Sequence, residues 1–317
     1  MLRLILYRLF YGLLTLFVVS LVVFAATQAL PSDPAQAILG REAADPARLA
    51  ALREQLNLDQ PLALQYWSWL SGVAVLDFGT SLSGGMPVSE LLGPRIQASL
   101  TLMLVTAVVA APVAMAIGAF AALRRDRRFD HASSMVTLVL AAVPEFAIGI
   151  AGILLLATGG LKLLPAVYAG SSTEVLASPD QLVLPVLTLA IAVSPPIIRM
   201  MRASMIEVLE SEYVQQARLK GLPERTVIWR HAAPNAIGPV AQVIALQLGW
   251  LAGGVVAIEF LFNFPGIGKA LMEAIEARNL PVIQAVTLLI AAVYVLVNLM
   301  ADVVGLAANP KVRVSSR

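Results

Sequence analysis

Cysteine is absent from the chain, which excludes disulfides, thiolate metal sites and cysteine nucleophiles together. Histidine is nearly absent. His131 and His231 lie 100 residues apart, so no metal site can be built from imidazoles at short spacing. Charged residues make up 13% of the chain against 59% hydrophobic ones, which leaves no free basic domain to bind nucleic acid. No glycine-rich loop followed by Lys and Ser or Thr occurs, so nucleotide hydrolysis by this chain is not expected. What is plentiful is long apolar runs, and 317 residues of this composition describe a polytopic membrane protein.

In chain order, Leu9–Leu30 is an apolar run preceded by Arg3 and Arg8. At about 1.5 Å per residue it can cross a hydrocarbon core of roughly 30 Å. It is longer than the apolar region of a cleaved signal peptide, roughly 7 to 15 residues, and is read as a retained helix. Residues 31–97 form a polar cap, with a helical pattern from Pro46 to Leu58. From Pro31 to Arg95 this segment holds four Arg against seven acids, a balance expected outside the cytoplasm. Tyr66, Trp67 and Trp69 read as an aromatic belt at the lipid headgroups.

Residues 98–308 form the membrane core, with five further spans expected. Ser99–Leu123 is a second span ending at Arg124, Arg125, Arg127 and Arg128, a cytoplasmic marker. Met135 to Leu161 is a third, with Pro144, Glu145 and Gly149 inside it. Leu182–Met201 is a fourth, expected to kink or break at Pro185, Pro195 and Pro196. Val240–Phe262 is a fifth, carrying Gln242, Gln247 and Glu259, and Pro281–Ala307 is the sixth. The tail, 309–317, is basic. The expected fold is therefore all-α with six spans and both termini cytoplasmic; inside segments hold 15 of the 22 Lys and Arg.

Between the fourth and fifth spans lies a polar insert, Ser211–Pro239. Val214, Ala217, Arg218 and Gly221 recur at helical spacing, and Ala217 and Gly221 put a flat surface on one face. Flanked by Tyr213, Arg218 and Lys220, that surface is expected to pack against another protein rather than in a core of its own. Gly221, Leu222 and Pro223 read as a helix stop. A second short helix with Val227, Ile228, Arg230 and His231 is expected to end at Pro234 and Asn235. A DNA-reading helix-turn-helix is excluded because both ends of the insert are tethered to spans.

Ionisable groups in a span are functional candidates by default. Glu145 and Glu259, with Gln242 and Gln247, are the candidates for a solute path, while Asp302 with Asn298 reads as a helix-helix anchor. An intramembrane protease would need Ser with His, paired Asp or a His-rich metal site inside the membrane. Neither His falls in a span, and Asp302 is the sole Asp placed in one. An ion-driven secondary transporter using Glu145, Glu259 and Asp302 stays open at this point.

From Tyr213 to Pro234 the chain resembles the coupling-loop motif of permease subunits in binding-protein-dependent ABC importers, on Ala217, Gly221 and Pro234. The wording YVQQARLKGL and RHAAPNAIGP is most similar to the dipeptide, oligopeptide and nickel permease family, first of its two membrane subunits. LPSDP (Leu30–Pro34), LREQLNLD (Leu52–Asp59), DFGTS (Asp77–Ser81) and FNFPGIG (Phe262–Gly268) occur in the same order, as does Asn309-Pro310. Ser32 stands where glycine is usual, Gln215 and Gln216 replace Glu-Ala, and Glu145 replaces a small or apolar residue. The resemblance implies a bacterial inner-membrane subunit for peptides, or alternatively for nickel or other metal chelates. It also implies a heterodimer with a second homologous permease, two ATPase subunits carrying ATP and Mg, and an extracytoplasmic solute-binding protein. This chain would itself bind no cofactor or metal. The implied ATPase-coupling residues are Tyr213, Ala217, Arg218, Lys220, Gly221, Leu222, Arg230, His231, Pro234 and Asn235.

Overall fold

The computed structural model describes residues 2–29, 34–39, 45–55, 58–159 and 162–308. Residues 30–33 of the LPSDP segment and the 309–317 tail lie outside the described residues. Among the described residues the regular structure is helical, with one isolated bridge, Thr80 to Pro87. In order come α1 (Leu2–Gln28), α2 (Pro34–Leu39), α3 (Pro46–Gln55), α4 (Leu62–Ala74), α5 (Val88–Leu123), α6 (Arg128–Ala142) and α7 (Glu145–Gly152). They are followed by α8 (Pro179–Leu209), α9 (Glu212–Leu219), α10 (Glu224–Thr226), α11 (Ala233–Leu261), α12 (Ile267–Glu276) and α13 (Leu280–Ala308). Five of these, α1, α5, α8, α11 and α13, are long and apolar enough to cross a membrane, α11 together with the turns that precede it.

The third span in chain order is broken. α6 and the segment Glu145–Thr158, which begins with α7, meet at 104°, so the continuous span expected over Met135–Leu161 is corrected. Pro144 bars the helical region to the residue before it, and Val143 is extended at φ −90°, ψ 127°. Pro144 then serves as the start of α7, where a missing N–H costs nothing. In the fourth span the expected break does not occur: α8 runs as one helix through Pro185, Pro195 and Pro196. Burial explains the difference. The apolar stretch of α8 is 61% buried, against 17% for α1, and α5, α6, α7 and α11 pack around it. Packing on several sides overrides the local preference of the prolines.

The most extensive helix pairing among the described residues is α5 with α8. Ala110, Ala114, Gly118 and Ala121 line the buried face of α5, and a Cβ on Gly118 would lie 2.8 Å from Met201 Cβ. Small residues let the backbones approach, which is how helices gain contact in a medium as apolar as their own surfaces. α5 also begins earlier than expected, at Val88, so the last ten residues assigned to the cap belong to it. At the far end of α1, Tyr66 is buried, its hydroxyl 2.8 Å from Ser20 Oγ and its ring against Phe24. Of the expected aromatic belt only Trp67 is exposed; Tyr66 and Trp69 pack inward on Phe24.

Candidate functional site

The insert Ser211–Pro239 is built around Gly221. Its φ of 77° lies in the left-handed region that glycine enters without strain. The Gly221 N–H donates to the Arg218 carbonyl (2.9 Å) and the Leu222 N–H to the Ala217 carbonyl (3.3 Å). These are the paired bonds of a Schellman stop, which covers the last carbonyls of α9. Pro223 then sets the chain into α10. The helix does not end at Pro234 and Asn235 as expected: α10 passes through a wide π turn, Val227–Ala232, into α11. Pro234 falls in the first turn of α11, where its missing N–H is tolerated, and Asn235 Nδ2 donates to the His231 carbonyl at 2.7 Å.

The expected docking face is partly inverted. Val214 and Ala217 are buried with Val227 against Val208 and Leu209, so the insert does have a small core. Ala217 is thus corrected from a partner-facing residue to a packing one. Arg218 is likewise engaged within the insert, its Nη2 2.6 Å and Nε 3.1 Å from the Glu224 carboxylate. Tyr213, Lys220, Gly221, Leu222, Arg230, Pro234 and Asn235 are exposed, and His231 is half-buried. Two further residues join this surface that sequence reasoning missed, Leu219 (87% exposed) and Trp229 (71% exposed). At 100° per residue Leu219 lies about 140° from the Val214 stripe, and an apolar residue off the inner face was the available signal.

Only Glu210 and Ser211 separate α9 from α8. The last turns of α8 are tied to the α5–α6 corner by two ion pairs. Arg202 grips Asp130 with Nε at 2.5 Å and Nη2 at 2.7 Å, and the Asp126 N–H donates to the same carboxylate at 3.0 Å. Arg125 pairs with Glu210. The Asp130 side chain is 2% exposed, so the first pair is a buried fork and the second a surface contact. The insert is thereby joined through α8 to the broken span α6–α7.

The four polar residues assigned to a solute path do not converge. Glu259 is fully buried and caps α12, accepting from the Gly268 N–H (2.6 Å), the Lys269 N–H (3.4 Å) and the Ser99 hydroxyl (2.5 Å). It is corrected from a pathway residue to a structural cap. Gln242 lies 17 residues away on α11, ~25 Å along the helix. Gln242 is exposed and Gln247 half-buried, and neither side chain has a hydrogen bond among the described residues. Glu145 is half-buried in the first turn of α7, directly after the break, and makes no hydrogen bond or ion pair among the described residues. Asp302 pairs with Arg8 of α1 at 2.9 Å, as a helix-helix anchor does, whereas Asn298 Nδ2 donates to the Tyr294 carbonyl of its own helix.

Comparison with known proteins places this architecture. The family described as "Binding-protein-dependent transport system inner membrane component" matches residues 114–314, and the N-terminal model of the same systems matches residues 1–87. The chain belongs to this family of inner-membrane transport components. The permease is 38% identical over 313 residues to "Glutathione transport system permease protein GsiC" of Salmonella choleraesuis, covering 99% of both chains. It is 38% identical over 301 residues to the protein of that name in Escherichia coli K12, covering 94% of this chain and 95% of that one. The permease is thus a multi-pass inner-membrane protein, and the 114–314 match takes in the insert, the Asp130–Arg202 pair and the Glu259 cap.

Proposed function

We propose that this permease is one of two homologous membrane subunits of an ATP-driven importer for peptides or a peptide-like solute, the glutathione named for its relatives included. The observation that carries the reading is the insert: a rigid, glycine-stopped helix with exposed apolar and cationic side chains, wired by buried charge to the broken span. A permease of this kind works with ATPase subunits and a binding protein. In the arrangement proposed, two ATPases bind ATP and Mg below the membrane, and Leu219, Tyr213, Trp229, Lys220 and Arg230 meet one of them. The binding protein delivers solute at the opposite end, and both termini are cytoplasmic, as the Lys and Arg distribution favours. Closure of the ATPase pair displaces α9, and α8 carries the displacement to α6 through Arg202. Coupling of this kind needs an element whose contacts differ between two states.

Gly221 supplies the test. No atom of the chain lies within 4 Å of a Cβ built there, so a side chain meets no internal clash, and the obstacles are the left-handed backbone and the partner's approach. Gly221→Val is expected to leave the assembled complex in the membrane but to lower ATP-driven uptake in proteoliposomes by about tenfold or more, given a left-handed penalty of about 1–2 kcal/mol. Gly221→Asn, which tolerates that conformation, should retain more uptake. Unimpaired uptake by Gly221→Val would sink the coupling assignment.

The ion-driven alternative is weakened by the two acids now placed: Glu259 caps a helix and Asp302 pairs with Arg8. Glu145 keeps its assignment to the solute path. Glu145→Gln should shift solute affinity by about tenfold, the equivalent of ~1.4 kcal/mol, in uptake assays over a solute series. Unchanged affinity together with loss of the second membrane subunit would move Glu145 to the subunit interface.

A further inference from the structure

Two cavities, about 240 Å³ and about 340 Å³, lie along the same three helices, α1, α4 and α13. On α1 the lining residues Leu16, Ser20, Phe24 and Gln28 recur every four positions, and on α13 so do Leu280, Gln284, Leu288 and Ala292. One face of each helix therefore serves both cavities. Tyr66 stands where they meet, bonded to Ser20 and packed on Phe24. Ser20 lines one cavity and Phe24 the other, so Tyr66 divides the groove along this face into two compartments of opposite character.

The larger compartment, toward mid-bundle, is apolar apart from Ser20 among its described lining residues. The smaller, at the end where α1 finishes and α13 begins, is lined by Gln28, Gln60, Gln65, Ser68 and Gln284 beside Trp69. Gln65 Nε2 is engaged by the Leu58 and Gln60 carbonyls, Gln65 Oε1 by Gln28 Nε2, and Gln284 Nε2 by Thr27. Gln28 Oε1, Gln284 Oε1 and Ser68 Oγ make no hydrogen bond among the described residues. Gln28 Nε2 and Gln284 Nε2 each make one hydrogen bond and keep a second N–H, so the free groups are both acceptors and donors. No Lys, Arg, Asp or Glu lines either compartment among the described residues.

This order of polarity along the span matches that of a bilayer leaflet, polar at the helix ends and apolar toward the middle. A ligand that fills both compartments is amphipathic, reaches the groove from the membrane and brings both donors and acceptors without net charge, as an ammonium beside a phosphate does. An anionic headgroup would call for Lys or Arg, which the lining lacks. We propose that this groove binds one phospholipid with an ethanolamine headgroup, its ammonium on Gln28 and Gln284 and an acyl chain along Leu16, Leu288 and Ala292.

The test uses the purified complex of this chain with its partner subunits, delipidated and offered dioleoyl phosphatidylethanolamine or dioleoyl phosphatidylglycerol. Bound lipid is counted by native mass spectrometry. The expected result is one retained ethanolamine lipid per chain, preferred over the glycerol lipid by about tenfold. Gln28→Leu should erase most of that preference, and Val73→Trp, which fills the apolar compartment from α4, should abolish retention. Ala292→Phe blocks the same compartment from α13, so misfolding of one variant leaves the other to decide. Equal retention of the two lipids, or retention unchanged in the blocked variants, overturns the proposal. So does high-yield photo-cross-linking to the second membrane subunit from a photoreactive residue incorporated at Val73, which would place protein in the groove.

Discussion

Glu259→Ala is expected to unfold the corner between α11 and α12, while Glu259→Gln leaves it standing. The carboxylate is fully buried and serves the second and third N–H groups of α12, those of Gly268 and Lys269. Ser99, from α5, completes the cap: its hydroxyl donates to Glu259 and its oxygen accepts the Ile267 N–H at 2.9 Å. Three helices are thereby joined at one point. Alanine leaves the Gly268 N–H and the Ser99 hydroxyl without acceptors, at about 1–3 kcal/mol for each buried group. Glutamine can accept from Gly268 through Oε1 and donate to Ser99 Oγ through Nε2, so the cap and the bridge to α5 persist and only the Ser99 proton must turn to another acceptor. Gly266→Ala should be as damaging as Glu259→Ala, because a Cβ there would overlap the carboxylate. Thermal unfolding of the purified protein in detergent reads the difference. An alanine variant with wild-type stability and altered solute preference would return Glu259 to the solute path.

The contrast between Glu259 and Gly221 shows where the sequence is readable. Gly221 acts on its immediate neighbours, and a Gly-Leu-Pro run after a helical stripe announces a stop whose bonds span five residues. Spans are legible for the same reason, since an apolar run needs no partner to be apolar. Glu259 is bonded to a residue 160 positions away, and Asp130 to one 72 away; neither link leaves a local pattern. The inward face of α9 is not legible in the sequence, because the apolar stripe is the same whether it meets a partner or Val227. The prolines behave differently from one span to the next: Pro144 breaks its span sharply, and three prolines leave α8 one continuous helix. Steric preference is local, but the burial that overrides it is a property of the finished bundle.

At the other end of the bundle, Arg202→Ala is expected to be the most costly change. It leaves Asp130, with 2% of its side chain exposed, as an uncompensated buried carboxylate, a loss of about 3–5 kcal/mol. Removing both partners should cost less, because Asp130→Ala with Arg202→Ala leaves no buried charge. Arg202→Lys keeps the charge but cannot reproduce the two-pronged grip of Nε and Nη2 on the two carboxylate oxygens. That variant separates stability from coupling. If α8 carries motion of the insert to α6 through this pair, an Arg202→Lys complex that folds should hydrolyse ATP yet move less solute per ATP than wild type. If uptake per ATP is unchanged while thermal stability falls, the pair is a brace for the bundle and motion of α9 reaches the broken span by another contact. Arg125 is then the next residue to test, since its pairing with Glu210 is the second tie between the end of α8 and the α5–α6 corner.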